Sequence, residues 1–196
     1  MAARRVARRK EVTVAEQRAA EDRNSLLQGN LDVAYIGLGD ALLSAGKRQE
    51  ALDIYLKGLA IREKLVISDP GNRDWQRQLI VNYLTIGDLQ FNTGNRQEAL
   101  ATYRKCLAVA EKVAASDPSN LSWSRDLGLA YERIGMVLAA AGDRLGALNA
   151  YRASLDISEK LVALDPVNIT WRRDLPAISP KVRLGPGHES VERLDP

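Results

Sequence analysis

The sequence predicts an all-α fold, an α-solenoid built from three antiparallel helical hairpins. Three observations predict it: a segment that recurs every 48 residues, helical spacing of the apolar residues between its copies, and turn residues at fixed places. The recurring segment is Asp69–Trp75, which returns as Asp117–Trp123 and again as Asp165–Trp171. Repetition at a fixed period of this size is typical of stacked supersecondary units rather than of one globular core.

The first helix of each hairpin is predicted from one apolar face. In the middle copy, Trp75, Leu79, Tyr83, Ile86 and Leu89 recur at the spacing of one side of a helix. A good N-cap residue stands before each tryptophan. These candidate caps are Asp74, Ser122 and Thr170. A glycine that permits a left-handed C-cap follows each first helix. These glycines are Gly46, Gly94 and Gly142.

The second helix carries Ala99, Tyr103, Leu107 and Val113, again at helical spacing. It is expected to stop before each Asp-Pro pair, because a residue that precedes proline is pushed out of the α region. Two antiparallel helices joined by a short turn form an αα-hairpin. The predicted hairpins cover residues 26–67, 74–115 and 122–163.

A glycine also recurs in the middle of each first helix, where it costs about 1 kcal/mol relative to alanine. The three are Gly39, Gly87 and Gly135. Their recurrence predicts a close approach of two helices that leaves no room for a β-carbon.

At these offsets the chain resembles tetratricopeptide repeat proteins. Their pattern is an aromatic residue, a leucine-type residue with glycine, a turn glycine, alanine, an aromatic and a small residue. The second repeat places Tyr83, Ile86, Gly87, Gly94, Ala99, Tyr103 and Cys106 there. The first places Tyr35, Leu38, Gly39, Gly46, Ala51, Tyr55 and Gly58 there. The third places Tyr131, Ile134, Gly135, Gly142, Ala147, Tyr151 and Ser154 there.

The resemblance implies a right-handed superhelix of the kind found in bacterial repeat arrays, and it makes Cys106 a small packing residue. The period exceeds the family's repeat of about 34 residues. Both helices are therefore expected to be about two turns longer, at the end away from the tight turn. Each tryptophan should pack on that extension, beside Leu65, Val113 or Leu161, with ligand contact as the alternative.

The resemblance also implies where a partner binds, because first helices of this family line a concave groove. The equivalent positions are Val33, Ile36, Asp40, Leu43, Val81, Leu84, Asp88, Phe91, Leu129, Glu132, Met136 and Ala139. A mainly apolar groove suits an amphipathic helix or an extended apolar peptide. The basic clamp by which one subtype holds chaperone tails is not found at these offsets.

No catalytic constellation is recognised, so an enzyme is not expected, nor is a cofactor. Cys106 and His188 are the single residues of their types and have no metal-site spacing. Glu63, Glu111 and Glu159 recur, each followed by lysine, and are interpreted as a solvated helix face.

The excess positive charge lies in an N-terminal arm, residues 1–25, since residues 24–175 hold equal numbers of acidic and basic side chains. A nucleic-acid partner is therefore not expected along the repeats. Binding of nucleic acid or an anionic surface through the arm stays an alternative. Residues 1–12 are expected to be disordered. Thr13 and Glu16 fit a capping box that would start a short helix towards Asp22 and cover the first hairpin.

The repeat domain is predicted to span residues 26–175 and to end in a partial fourth helix, residues 171–175. Pro176 and Pro180 would interrupt that helix, so the tail, residues 176–196, is expected to be broken or disordered. Without a polar capping helix the last hairpin would be exposed. Such exposure would favour one of two arrangements. The chain would self-associate to a homo-oligomer, or it would belong to a longer array such as the sensor arm of a signalling enzyme.

The composition fits a cytoplasmic protein without a membrane partner. No apolar stretch is long enough to span a membrane or to serve as a secretory signal, and one cysteine cannot form an internal disulfide. The function expected from sequence is a protein–protein interaction scaffold.

Overall fold

The computed structural model describes residues 2–21 and 25–172, and this part of the chain contains helices and turns but no strand. The long helices are α1 Ala2–Glu21, α2 Ser25–Leu43, α3 Arg48–Ser68, α4 Arg73–Asn92, α5 Arg96–Ser116, α6 Leu121–Ala140 and α7 Arg144–Leu164. Helical backbone begins again at Ile169 and reaches Arg172, the last described residue. Among the described helices, none is long and apolar enough to cross a membrane.

The all-α repeat fold is confirmed, and the first and third hairpins are formed by α2 packed on α3 and by α6 packed on α7. Helices α2 and α3, α4 and α5, and α6 and α7 fill the three predicted hairpin segments, with ends within one residue of those expected. The start of a further first helix after α7 lies in register with them. The expectations for residues 173–196 fall outside the described part of the chain.

The tight turns take the predicted left-handed glycine. Gly46, Gly94 and Gly142 have φ of 75°, 88° and 84°. In the first turn, the N–H of Lys47 donates to the carbonyl of Leu42 at 3.0 Å, and the N–H of Gly46 donates to Leu43 at 2.9 Å. This pair of bonds is the Schellman motif, which satisfies carbonyls left open at the end of a helix.

The predicted N-caps were wrong, and the caps lie two residues earlier. Asn72 accepts a hydrogen bond from the N–H of Trp75, Asn120 from Ser122, and Asn168 from Trp171. The Asp-Pro pair explains the shift, since the aspartate accepts from the backbone two residues later, as Asp69 does from Gly71 at 3.2 Å. That Asx turn brings the asparagine, rather than the residue before the tryptophan, to the helix start.

Gly39 and Gly135 each lie against a tyrosine ring, and the close approach of two helices that their recurrence predicted is present at these two positions. A β-carbon on Gly39 would lie 2.7 Å from the ring of Tyr55, and one on Gly135 would lie 2.7 Å from Tyr151. No real β-carbon tolerates that distance, so glycine is required where the two helices of each of these hairpins meet.

Two compact units divide the chain between Asn95 and Arg96. In the first unit α1 packs on α2, α2 on α3, and α3 on α4. In the second unit α5 packs on α6 and α6 on α7. The buried residues include the pattern alanines and the pattern tyrosines other than Tyr131, which is half-buried. Cys106 is fully buried, which agrees with its interpretation as a packing residue.

The expected disorder of residues 1–12 was wrong, because α1 begins at Ala2. Thr13 does not cap it: its hydroxyl donates to the carbonyl of Arg9 at 3.1 Å, inside the helix. Burial of Val12 and Ala19 against the rest of the unit stabilises a segment whose charge pattern alone favours disorder. The expectation that a helix here covers the first hairpin is confirmed, since α1 packs on α2.

Candidate functional site

The positions that the family pattern assigns to a ligand keep several apolar side chains in contact with solvent in the first unit. Val33 and Leu43 on α2 are 60% and 36% exposed, and Val81 on α4 is 50% exposed. Ile36, Leu84 and Phe91 are half-buried. We call these six residues the apolar stripe. Its members recur at spacings of three and seven along α2 and α4, the spacing of one helical face.

A buried polar group lies between the helices that carry the apolar stripe. Asp32 of α2, fully buried, forms an ion pair with Arg62 of α3, which is 1% exposed. Asn82 of α4 also hydrogen-bonds Asp32. Burial raises the pKa of Asp32, although Arg62 acts in the opposite direction. The network therefore connects α2 with α3 and α4, next in sequence to the exposed residues Val33 and Val81.

Sequence reasoning missed this network, although a signal was present. By the 48-residue period, Asp32 corresponds to Ile80, and Arg62 corresponds to Ala110. Two charged residues therefore replace apolar residues in one hairpin at once, which indicates a pair. In the third repeat the corresponding residues are Gly128 and Ser158.

Two carboxylates assigned to the groove are occupied within their own hairpins. Asp40 accepts a hydrogen bond from the hydroxyl of Tyr55. Glu132 on α6 is only 9% exposed. The pKa of Tyr151 is raised mainly by the burial of its own hydroxyl and secondly by the negative charge of Glu132. These acids are therefore less available to a partner than the sequence suggested.

The remaining assigned positions are less exposed than the valines of the stripe. Asp88 on α4 is half-buried, as are Leu129 and Met136 on α6, while Ala139 near the end of α6 is exposed. The second unit thus contributes fewer large, solvent-facing apolar side chains at these offsets.

Two of the three recurrent glutamates, Glu63 and Glu111, bond to the next hairpin, so their interpretation as a merely solvated face was wrong for these two. The hydroxyl of Tyr83 donates to Glu63 at 2.6 Å, and that of Tyr131 donates to Glu111 at 2.9 Å. In each case the glutamate lies on a second helix and the tyrosine on the next first helix. Recurrence of both residues was visible in the sequence, but their pairing was not, because 20 residues separate them.

The three tryptophans differ in burial, so they do not share the exposure that a common ligand contact would require. Trp123 is 4% exposed, whereas Trp75 and Trp171 are half-buried. Trp171 and Leu161 line the same small cavity, which agrees with the expected packing. This placement agrees with packing on the long end of the hairpin.

Part of the basic charge of α1 is neutralised within the first unit. Arg8 pairs with Glu11 at 2.5 Å, and Arg9 pairs with Glu50 of α3 at 3.3 Å. The Arg8 guanidinium lies over Gly37 of α2. These side chains help to hold α1 in place.

Family models described as tetratricopeptide repeat match residues 33–68 and residues 81–113. No curated protein matches the chain. Among solved structures, BtubC (BKLC) from P. vanneervenii is 15% identical with a TM-score of 0.56, and the match covers 98% of this chain and 76% of that chain. At that identity the likeness shows a shared helical-repeat fold.

Two further solved structures are similar at lower scores. TPR-like repeats from P. anserina are 17% identical with a TM-score of 0.41, and the match covers 90% of this chain and 88% of that chain. A MamA double mutant, RS-1 ArsTM, is 16% identical with a TM-score of 0.35, covering 91% and 84% respectively.

Proposed function

We propose that this tetratricopeptide repeat protein acts as a protein-interaction scaffold and binds a peptide or helix of a partner along the apolar stripe of α2 and α4. The observation that carries the proposal is the exposure of Val33 and Val81. They occupy the same position in successive repeats, and each leaves half or more of its surface in water. Exposed apolar residues that recur on one face are typical of an interaction surface, whereas scattered ones are not.

The placement of the two valines supports one continuous surface within the first unit. Each lies next in sequence to a member of the buried pair Asp32 and Asn82, which links α2 to α4. Half-buried Leu84 and Phe91 extend the stripe along α4 towards the tight turn.

The chemistry of the stripe favours an apolar ligand. Asp40, the acid within the α2 part of the stripe, is already bound to Tyr55. Burial of apolar area contributes about 25 cal/mol per Å², and few directional bonds are available. An amphipathic helix, or an extended peptide with apolar side chains, fits that description.

The test is a comparative pull-down with the full chain. Leu84→Glu/Phe91→Glu places two charges in the stripe, and Leu56→Glu/Ile67→Glu makes the same change on exposed residues of α3. We expect partners of the wild type to be lost with the first variant and kept with the second. Circular dichroism should show that both variants retain helix content. An identical set of partners for all three proteins would exclude the stripe as the main site.

A further inference from the structure

A second surface of the first unit lies between α1 and α2, on a different set of side chains from the apolar stripe. It is a groove with a volume of about 440 Å³. Its apolar lining comes from Val14 and Ala15 on α1 and from Leu27 and Ala34 on α2. Val14 is 45% exposed, so this lining is open to solvent.

Helix α1 occupies the place of a second helix in a preceding hairpin. Glu16 accepts the hydroxyl of Tyr35 at 2.5 Å, just as Glu63 on α3 accepts that of Tyr83. The same contact made by the same residue types places Glu16 where Glu63 stands. Helix α1 is therefore equivalent to α3, one hairpin earlier.

This equivalence identifies the face of α1 that no other helix covers within residues 2–21 and 25–172. On α3, Gly58 and Arg62 are covered by α2: both approach Asp32. The same offset from the glutamate gives Glu11 and Ala15 on α1, and both line the groove. The groove is thus where a further first helix would lie.

The charge along the groove restricts the occupant. Lys10 and Arg18 line it, are exposed, and have no ion pair among the described residues. Glu11, whose negative charge would oppose an acidic ligand, forms an ion pair with Arg8 at 2.5 Å. The groove therefore combines an apolar floor with two basic side chains, two helical turns apart on α1.

We propose that this groove docks an acidic amphipathic helix of a partner protein, with its apolar face on Val14 and Leu27 and its carboxylates towards Lys10 and Arg18. The fold contains a precedent, since α2 covers the equivalent face of α3 and places Asp32 against Arg62. The walls are already fixed: the side-chain amide of Gln28 donates to the carbonyl of Ala19 at 3.3 Å, and Glu16 holds Tyr35. A preformed groove loses little conformational entropy on binding.

The probe is a fluorescent synthetic helix of about 18 residues, long enough for five turns, with leucines on one face and glutamates beside them. Its affinity for the full chain is measured by anisotropy at low and high salt. We expect binding that weakens with salt, and weaker binding still for a peptide in which lysines replace the glutamates. No binding at millimolar concentration, or equal binding of the two peptides, would overturn the proposal.

Variants locate the site. Lys10→Glu/Arg18→Glu should raise the dissociation constant about tenfold or more, and Lys10→Gln/Arg18→Gln by a smaller factor. Lys64→Glu/Lys160→Glu makes the same charge change on exposed residues outside the groove and should leave the affinity unchanged. An equal loss with this control would contradict docking in the groove. Leu84→Glu/Phe91→Glu should also bind the probe normally, which separates this site from the apolar stripe.

Two other occupants have distinct outcomes. If Glu189→Lys/Glu192→Lys strengthens probe binding about tenfold, the chain's own tail competes for the groove. If raising the protein concentration releases the fluorescent peptide while the protein dimerises, the occupant of the groove is a second copy of the chain. Either result would overturn docking of a partner's helix.

Discussion

The hydroxyl of Tyr83 on α4 donates a hydrogen bond of 2.6 Å to Glu63 on α3, and so ties one hairpin to the next. Tyr131 and Glu111 make the same contact between α6 and α5. Tyr35 and Glu16 make it between α2 and α1. In each pair a phenol donates to a charged carboxylate, which makes the bond stronger than one between neutral groups.

Removal of this bond should destabilise the first unit. We expect Tyr83→Phe to lower the free energy of unfolding by about 1–2 kcal/mol, because it removes a hydrogen bond between a phenol and a carboxylate. Urea unfolding of Tyr83→Phe, Glu63→Gln and the double variant gives the coupling energy, expected near 1 kcal/mol. Glu159→Gln is the control, since position 179, one period after Tyr131, holds serine. If the losses in the free energy of unfolding of the two single variants simply add in the double variant, the hydrogen bond contributes nothing to stability.

The tyrosines should also make stability fall at alkaline pH. Burial, and then the adjacent glutamate, raises the pKa of Tyr35 and of Tyr131 above the ordinary value of 10.0. The folded state thus holds these protons more tightly than the unfolded state. Their stabilising effect is complete below about pH 10 and is lost as the pH rises towards the folded pKa. Urea unfolding between about pH 8 and pH 11 should give a shallower decline for Tyr35→Phe/Tyr131→Phe; parallel curves would contradict this.

The ion pair of Asp32 and Arg62 should be costly to break but cheap to replace. Asp32→Ala leaves a buried guanidinium unpaired and should cost about 3–5 kcal/mol in chemical unfolding. Asp32→Ile/Arg62→Ala introduces the residues found at the same places in the second repeat, Ile80 and Ala110, both fully buried. We expect the double variant to recover most of the loss. If it is as unstable as Asp32→Ala, the pair itself is needed for packing.

The N-cap assignment can be tested within one turn. Asn120→Ala should cost about 1 kcal/mol, because the asparagine side chain accepts from the N–H of Ser122 at 3.2 Å. Ser122→Ala, two residues later, should change stability by less than about 0.5 kcal/mol, since this exposed residue lies inside the helix. If thermal unfolding shows a larger loss of stability for Ser122→Ala than for Asn120→Ala, the serine is the cap.

Much of the backbone was predictable because it depends on local chemistry. The turn glycines need a left-handed conformation that other residues resist, so Gly46, Gly94 and Gly142 mark the turns unaided. The requirement for glycine at Gly39 was likewise predictable from recurrence, although its partner, the ring of Tyr55, became clear only in the structure.

The polar contacts were less predictable because their partners are distant in sequence. Glu63 precedes a lysine, and this neighbour suggested a surface pair, while the actual donor is 20 residues away. Helix α1 was misjudged for a related reason. Its charges favour disorder locally, but contact with α2 buries Val12 and Ala19.

The sequence by itself determined the period, the hairpins and their tight turns, because each follows from helix spacing and from residues with special backbone preferences. Only the tertiary structure decided which acids are occupied, which apolar residues of the first helices stay exposed, and that α1 continues the series of second helices. These outcomes depend on packing between segments far apart in the chain. A repeating pattern predicts that such contacts exist, but not which side chains they leave free for a partner.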